Sequence, residues 1–217
     1  MQVWTEDEAA RFLEVAAKRS KHYPLFVLAL STGMRLGELL GLKWEDVDLE
    51  AGFLQVKRTL ADRSAIKKVI FLPPKSQAAR RKIPLDAFTV EVLKRHRKKQ
   101  IEIHLKKGPE WQGHGLVFCT DRGRPLYHSE VRSALTRLAH RAKVTPLRFH
   151  DIRHTHATFL LRKGIHPKIV AERLGHSSIK ITLDTYSHVL PDTQAEAVKA
   201  IEGMLQTGGQ VSGRTRQ

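Results

Sequence analysis

The sequence predicts a mainly α-helical domain with a small antiparallel β-sheet, an α+β fold. Two observations carry this prediction. Apolar residues recur at helical spacing over most of the chain, with capping or stop residues at the ends of these segments. In the middle of the chain, short runs of strand character replace that pattern. With 217 residues, of which 41% are hydrophobic, the chain is long enough for one domain with a substantial core.

Three helices are predicted near the N-terminus. The first begins at Thr5-Glu6-Asp7-Glu8, which has the pattern of a capping box. The second runs from about Pro24 to Gly33, where the glycine suits a helix stop. The third is short and fits Leu36 to Leu40, directly before Gly41.

Strands are predicted next, and three of them are assigned to one small sheet at the edge of the helical domain. They lie at Phe53–Lys57, Lys68–Leu72 and Arg81–Leu85. The apolar run Leu116–Phe118 also has the character of a buried strand. The single cysteine, Cys119, is then interpreted as a small core residue, and no intrachain disulfide is possible.

Helical patterns fill the rest of the chain. The first of these helices has a strongly basic exposed side, and the last is an amphipathic terminal helix. The segments are Ala87–Lys107, a helix starting at Ser129, Phe149–Gly164, Pro167–Leu174 with Gly175 as its stop, and Pro191–Leu205. Residues 206–217 are rich in Gly, Ser, Thr and Arg, and we expect them to be a disordered tail.

The charge balance predicts a polyanionic partner. Lysine and arginine number 38 and aspartate and glutamate 22, which gives a net charge of +16. Such a field attracts phosphate backbones, although charge alone does not separate DNA from RNA or from an anionic membrane surface. No apolar run approaches the roughly 20 residues that cross a bilayer. The first residues lack a signal-peptide pattern, so we expect a cytoplasmic protein without a membrane partner.

Several common catalytic motifs are missing from the sequence. No Gly-x-x-x-x-Gly-Lys-Ser/Thr phosphate loop occurs, and no His-Glu-x-x-His zinc motif. His150 and His154 are spaced i and i+4, with His156 nearby, which would allow a zinc pair on one helix. No third ligand from a cysteine or acidic motif presents itself, so the sequence predicts no metal and no cofactor.

A series of short motifs remains, and each has an ordinary interpretation when it stands alone. His150 and Arg153 share one helix face and would be able to grip a phosphate, yet a solvated basic face is the simpler reading. Tyr186 alone would be a half-buried core tyrosine. The motifs, in chain order, are Thr32-Gly33-Met34-Arg35-Leu36-Gly37-Glu38-Leu39, Lys75, His150-Asp151-Ile152-Arg153, Leu174-Gly175-His176-Ser177-Ser178 and Tyr186.

In this order and spacing, the set resembles the tyrosine recombinase (phage integrase) family, from about residue 5 to residue 205. The resemblance implies the fold of that family's catalytic domain. It also implies that Arg35 and Arg153 hold the scissile phosphate and that His176 donates to the same group. Lys75 would protonate the leaving 5′ oxygen, although Lys67 and Lys68 on the same predicted hairpin are rivals for this role.

The resemblance assigns the remaining site residues as well. Tyr186 would attack the phosphate and give a 3′-phosphotyrosine with a free 5′ hydroxyl. His150 would lie near the phosphate and help to accept or hold the tyrosine proton. Glu38 would orient the region of the first arginine, and His154 and His188 would be structural or supporting residues.

The implied function is site-specific DNA recombination or integration, as in mobile elements, through strand exchanges that need neither ATP nor a metal. Residues 1–205 would form the catalytic domain, and the N-terminal core-binding domain of the family is expected to be absent. The partners would be double-stranded DNA and further copies of the chain in a homotetramer on paired sites. Two alternatives stay open: a type IB topoisomerase-like relaxase, and a DNA-binding module that does not cleave.

Overall fold

Helices account for most of the computed structural model, which describes residues 2–61, 70–74, 76–187, 198–199 and 201–202. The helices are α1 (Glu6–Arg19), α2 (Tyr23–Thr32), α3 (Leu36–Leu40), α4 (Ala87–Lys107), α5 (His128–Ala142), α6 (Phe149–Arg162), α7 (Pro167–Leu174) and α8 (Ile179–Tyr186). The strands are β1 (Val47–Asp48), β2 (Phe53–Val56), β3 (Thr59–Leu60), β4 (Phe71–Leu72) and β5 (Arg81–Pro84). The predicted fold class, mainly α with small antiparallel sheets, is confirmed.

The ends of the first three helices follow local sequence signals. The predicted capping box is formed, since the Thr5 N–H donates to Glu8 Oε2 at 3.0 Å and the Glu8 N–H to Thr5 Oγ1 at 3.2 Å. Gly33 ends α2 in the left-handed region, with a φ of +65°. Gly41 follows the last residue of α3. These three helices therefore begin or end where the sequence predicts.

The main core lies between α1, α2, α5 and α6, and a chain of aromatic rings crosses it. The Trp4 and Phe12 rings lie 4.6 Å apart, Phe12 and Phe26 lie 5.1 Å apart, and Phe26 and Phe149 lie 6.4 Å apart, centroid to centroid. All four side chains are buried. Their burial fixes the N-terminal helices against α6, which is the helix that carries the histidine and arginine motif.

A second, separate set of apolar side chains lies between α6, α7 and α8, and we call it the small cluster. It consists of Ala157, Leu161, Val170, Leu174 and Tyr186. All five residues are at most 1% exposed. The small cluster holds the last two helices against α6, and one of its members is the predicted nucleophile.

The strands form two sheets rather than the single sheet that the sequence predicts. β1, β2 and β5 make an antiparallel sheet in that order, with Phe53 opposite Pro84 and Val56 opposite Arg81. The predicted strand at residues 68–72 is described only from residue 70, and its Phe71–Leu72 part pairs with β3 instead. The assignment of residues 68–72 to the same sheet as β2 and β5 was wrong, because the backbone of β4 pairs with β3, the short strand that follows β2 in the chain.

The run Leu116–Phe118 is buried as predicted, but Leu116 forms an isolated bridge with Lys43 and the run is not a strand. The Val117 N–H donates to the Leu42 carbonyl, and its own carbonyl contacts His96 Nε2 at 2.7 Å. The Leu42 carbonyl and a helix side chain thus take both backbone groups of Val117, so this residue offers none to a sheet partner. Burial raises the pKa of neighbouring Cys119 to about 11, so this thiol stays protonated at neutral pH.

Two further features concern the C-terminal part. Helix α8 was not predicted; it begins after Ser178, whose hydroxyl accepts the Lys180 N–H at 3.1 Å. The predicted terminal helix at 191–205 lies outside the described residues except for 198–199 and 201–202, which are helical, and the tail at 206–217 lies outside them entirely. In the part of the chain that the structure describes, no helix combines the length and apolar character needed to span a bilayer.

Candidate active site

The turn between α2 and α3 carries Arg35. This residue precedes the first residue of α3, and Glu38 in the first turn bonds back to it. Glu38 Oε2 accepts the Arg35 backbone N–H at 3.0 Å, and Oε1 accepts from the Arg35 guanidinium at 2.9 Å. Glu38 is 5% exposed, whereas the Arg35 side chain is 42% exposed. The buried carboxylate therefore anchors Arg35 while much of the arginine side chain stays accessible.

Glu38 is ionised despite its burial. Burial alone would raise the pKa of this carboxyl group. The charge and hydrogen bonds of Arg81, together with those of Arg35, outweigh burial and hold the pKa below its usual value. A buried carboxylate that is shared by two guanidinium groups is thus part of the wall behind Arg35.

Arg153 lies on α6 and is only 3% exposed. One of its terminal nitrogens donates to the Gly33 carbonyl at 2.9 Å and the other to the Leu174 carbonyl at 2.7 Å. These bonds join the α2–α3 turn to the end of α7. Burial lowers the pKa of Arg153 to about 9, and the charge of Arg35 acts in the same direction. At neutral pH the guanidinium still carries its charge, because pH 7 lies well below this value.

His150 and His154 follow each other on the same face of α6. Their rings are perpendicular, with centroids 4.8 Å apart. Burial, then the charge of Arg153, lowers the pKa of His150. Burial and the neighbouring His150 lower the pKa of His154 to about 4. Both rings therefore favour the neutral form at pH 7, in which a ring nitrogen can accept a proton.

His176 directly follows Gly175, which ends α7 with a φ of +71°. Its Nδ1 lies 2.8 Å from the Thr182 hydroxyl on α8. Because Nδ1 is hydrogen-bonded to Thr182, Nε2 is the ring nitrogen of His176 that a ligand would contact. Burial lowers the pKa of His176 to about 4, with the charges of Arg153 and Arg35 acting in the same direction.

Tyr186 is the last residue of α8 and is 1% exposed. Its hydroxyl oxygen lies 2.6 Å from Nδ1 of His154, and the two ring centroids are 5.6 Å apart. Burial raises the pKa of Tyr186 to about 12, and the charge of Arg153 only partly opposes this. The hydroxyl is therefore protonated at neutral pH and is hydrogen-bonded to a neutral imidazole.

These side chains line one cavity of about 320 Å³. The predicted site residues that line it are Arg35, His150, Arg153, His154, His176 and Tyr186. Glu38 lies behind Arg35 rather than in the cavity wall. Lys75, its rivals Lys67 and Lys68, and His188 fall outside the described residues. Ser76 lines the cavity, so the described chain next to Lys75 reaches the site.

The arrangement suits a tetrahedral anion. Two guanidinium groups supply charged, directional donors, and an imidazole nitrogen adds a neutral one. A hydroxyl with a base at hydrogen-bond distance lies in the same wall, which is the pairing required of an oxygen nucleophile. Over the described residues, no three His, Cys, Asp or Glu side chains come together as a metal site.

The sequence assigned no catalytic or supporting role to three residues near the site. Arg81 bonds to Glu38, Thr182 bonds to His176, and His156 accepts from Arg173. Thr182 stands within the spacing between Gly175 and Tyr186, so the motif contained a signal for it. Arg81 is one of three consecutive basic residues, and nothing in the sequence separates it from its neighbours.

The fold is that of the catalytic domains of tyrosine recombinases. The chain belongs to the phage integrase family, and the family model matches residues 2–192. A tyrosine recombinase XerC-like protein of Caldanaerobacter subterraneus subsp. tengcongensis is 37% identical over 92% of this chain and 54% of the relative. The ICEBs1 integrase of Bacillus subtilis is 25% identical over 94% of this chain and 55% of the relative. The chain thus spans about half the length of these curated relatives.

Solved structures share the fold. The Tn1549 transposon integrase, determined in complex with transposon right end DNA, has a TM-score of 0.76 and 24% identity. The match covers 94% of this chain and 66% of that chain. The XerH site-specific recombinase, in a post-cleavage complex with its palindromic difH substrate, has a TM-score of 0.65 and 25% identity, covering 93% of this chain and 53% of that chain.

Proposed function

We propose that this chain is the catalytic domain of a site-specific DNA recombinase or integrase. The observation that carries the proposal is the contact between the Tyr186 hydroxyl and His154 in a cavity lined by Arg35 and Arg153. The wall thus holds an oxygen nucleophile, a base and two fixed cations. Phosphodiester transfer requires such a combination, because negative charge grows on the phosphate oxygens while the nucleophile loses its proton.

In the proposed reaction, the Tyr186 oxygen attacks the scissile phosphorus and forms a phosphotyrosine bond. The bond from phosphorus to the 5′ oxygen breaks, and the leaving oxygen takes a proton from Lys75. Arg35, Arg153 and His176 stabilise the charge on the non-bridging oxygens. The phosphotyrosine link conserves the energy of the broken bond, so a free 5′ hydroxyl can reverse the reaction and reseal a strand without ATP.

The tyrosine proton goes to His154 in this mechanism rather than to His150, the residue that the family resemblance implies for this role. His154 Nδ1 is 2.6 Å from the hydroxyl, and the ring is neutral at pH 7, so it has a lone pair for the proton. Its pKa of about 4 makes it a weak base in the free domain, and the negative charge of a bound phosphate would raise that pKa. His150 packs against His154 with its ring perpendicular, and its proximity helps to lower the pKa of His154. His188 keeps the supporting role that the resemblance implies.

The partners follow from the charge and the family. The net charge of +16 favours double-stranded DNA as the polyanion that the domain binds. The solved neighbours in DNA complexes support this partner by likeness. We propose a homotetramer on paired DNA sites as the working assembly, and the cytoplasm as the compartment in which it acts.

The test does not require knowledge of the target site. The chain is mixed with supercoiled plasmid, and separately with a pool of random-sequence duplexes, in EDTA without ATP. Detergent stops the reaction, and DNA bound covalently to protein is measured. We expect a detergent-resistant adduct whose hydrolysis releases phosphotyrosine. Tyr186→Phe, which keeps the buried ring, should form none.

The matched control is Tyr127→Phe, which removes a hydroxyl from an exposed tyrosine outside the cavity. It should form the adduct as the unchanged chain does. An adduct that persists in Tyr186→Phe would disprove the proposed nucleophile. A chain that binds DNA and forms no adduct with either substrate would instead support a non-cleaving DNA-binding module.

A further inference from the structure

Arg81 differs from its basic neighbours in burial. It lies at the start of β5 between Arg80 and Lys82, which are both exposed. The Arg81 side chain is only 6% exposed. Removing a guanidinium group from water is energetically costly, so a buried arginine requires a complete set of partners. The partners of Arg81 are therefore informative.

Arg81 holds Glu38 with both arms of its guanidinium group. NH1 lies 3.2 Å from Glu38 Oε1, and NH2 lies 3.0 Å from Glu38 Oε2. The same two oxygens bind Arg35, through its side chain and its backbone N–H. Arg81 thus fixes the orientation of the Glu38 carboxylate, and the remaining lone pairs of that carboxylate accept from Arg35.

The other bonds of Arg81 reach two further elements. Its Nε donates to the Arg173 carbonyl at 2.7 Å, in the last turn of α7. Three residues later the chain reaches His176. NH1 of Arg81 also donates to the Ala79 carbonyl at 3.0 Å, in the turn that links Ser76 to β5. A single buried side chain therefore contacts three segments, and each segment leads directly to one proposed catalytic residue.

We propose that Arg81 is a positioning residue that sets the geometry of Arg35 through Glu38 and aligns the segments bearing Lys75 and His176 with it. This inference rests on the proposed function. Arg81 does not line the cavity, so its proposed role is exerted through the residues that do. It keeps the donors at fixed separations, and a displacement of about 1 Å at such a site can cost roughly 100-fold in rate.

The experiment compares Arg81→Lys with two matched variants of the full chain. Arg80→Lys makes the same change at the adjacent exposed arginine. Arg173→Lys makes it at another partly buried arginine, which bonds to the Ser31 and Pro84 carbonyls and not to Glu38. For each variant we measure the rate of covalent adduct formation at saturating plasmid, the Kd for plasmid DNA and the Tm.

We expect Arg81→Lys to form the adduct about 100-fold more slowly, with a Kd within about threefold of the unchanged chain. A single ammonium group cannot reproduce the bidentate contact. Arg80→Lys should match the unchanged chain. Arg173→Lys should lose less rate than Arg81→Lys for an equal decrease in Tm. The proposal would be overturned if Arg81→Lys formed the adduct at the rate of the unchanged chain. It would also be overturned if Arg81→Lys and Arg173→Lys lost the same fraction of that rate for the same decrease in Tm.

A double-mutant cycle with Glu38→Gln tests the route of the effect. If Arg81 acts through Glu38, the double variant should be no slower than the slower single variant, whereas independent roles would multiply the two losses. Multiplied losses would overturn the proposed route.

The pH profile adds a readout. Without Arg81, the pKa of Glu38 should rise, with Arg35 and Arg153 as the remaining cations near it, and the rate of adduct formation should decrease on acidification. If the unchanged chain forms no Tyr186-dependent adduct, the proposed function fails, separately from the role of Arg81.

Discussion

At the residue scale, the proton of Tyr186 is the central question. Burial raises the pKa of Tyr186 to about 12, so the hydroxyl does not ionise unaided at neutral pH. A neutral His154 lies 2.6 Å away, and the charge of Arg153 favours the phenolate. Attack therefore depends on transfer of this proton as the bond to phosphorus forms.

The first prediction contrasts two neighbouring histidines. His154→Gln should slow adduct formation by about 100-fold or more, because it removes the proton acceptor from the tyrosine hydroxyl. His150→Gln should cost clearly less, since His150 contacts the His154 ring and not the hydroxyl. Single-turnover adduct rates at saturating DNA measure both losses. The reverse order would return the proton to His150, as the sequence had indicated.

Buried histidines also make stability depend on pH. His156 is 5% exposed, its Nδ1 contacts the Leu30 carbonyl, and Nε2 accepts from Arg173. Burial and the charge of Arg173 lower the pKa of His156 to about 4, against about 6.5 in an unfolded chain. Between these values the unfolded state binds more protons, so the free energy of unfolding decreases as pH decreases.

The second prediction follows from this shift. Between pH 6.5 and pH 4, the contribution of His156 to the free energy of unfolding should decrease by about 3 kcal/mol. Urea unfolding at several pH values measures the slope. His156→Gln, which keeps a donor and an acceptor but does not titrate, should give a shallower slope than the unchanged chain. Identical slopes would mean that other groups carry the acid sensitivity.

At the level of single residues, the sequence was informative about identity and not about contacts. The motif spacing selected Arg35, Arg153 and Tyr186, and these line one cavity. The motif did not reveal that His154 meets the tyrosine, because this contact depends on how α8 docks on α6. Arg81 was hidden for a similar reason, since its partners lie 43 and 92 residues away in the chain.

At the element scale, the junction of α2 and α3 concentrates several constraints. Gly33 combines a φ of +65° with very close packing, since a Cβ there would lie 2.7 Å from atoms of His156 and Leu174. Its carbonyl also accepts the hydrogen bond from Arg153. This glycine is therefore required both by the backbone conformation and by the space that is left.

The third prediction uses Gly164 as the matched control. Gly164 has a φ of +76°, but a Cβ there would meet nothing within 4 Å. Gly164→Ala should lower the free energy of unfolding by about 1 kcal/mol, the cost of the left-handed backbone alone. Gly33→Ala should cost clearly more, because the clash adds to that strain. Urea denaturation measures both, and equal costs would contradict the packing argument.

The elements themselves were predictable where local signals were strong. The capping box at Thr5 and the stop at Gly175 placed helix ends correctly. Helix α8 was missed because its apolar residues Ile179, Ile181 and Leu183 alternate along the chain, as in a strand, and they lie exposed while Tyr186 is buried. Packing on the small cluster, rather than amphipathic pattern, decides the structure there.

At the scale of the whole molecule, the basic residues of different helices are expected to contribute differently to DNA binding. Helix α5 packs against α3, whose first turn bonds to Arg35. The exposed side of α5 carries Arg137, Arg141 and, beyond its end, Lys143. Under the proposed function, we expect this side to contact the backbone of bound DNA, and we expect the basic residues of α1 to contribute only to the general field.

The fourth prediction tests this difference. Replacing Arg137 and Arg141 by glutamine should weaken DNA binding and reduce the slope of log Kd against log salt by about 1 for each lost phosphate contact. The control replaces Arg11 and Arg19, exposed on α1, and removes the same charge. It should change the slope far less. Equal changes in slope for the two pairs would show that only net charge matters.

The small cluster has an evolutionary consequence. The ring of Tyr186 packs where α6, α7 and α8 meet, so one position serves both the folding of the domain and its chemistry. Natural selection for a folded chain alone would preserve an aromatic ring there and ignore the hydroxyl. A descendant that gave up cutting DNA would therefore drift from tyrosine to phenylalanine at this position. Loss of a single oxygen atom, with the rest of the sequence still under constraint, is the trace that such a lineage would leave.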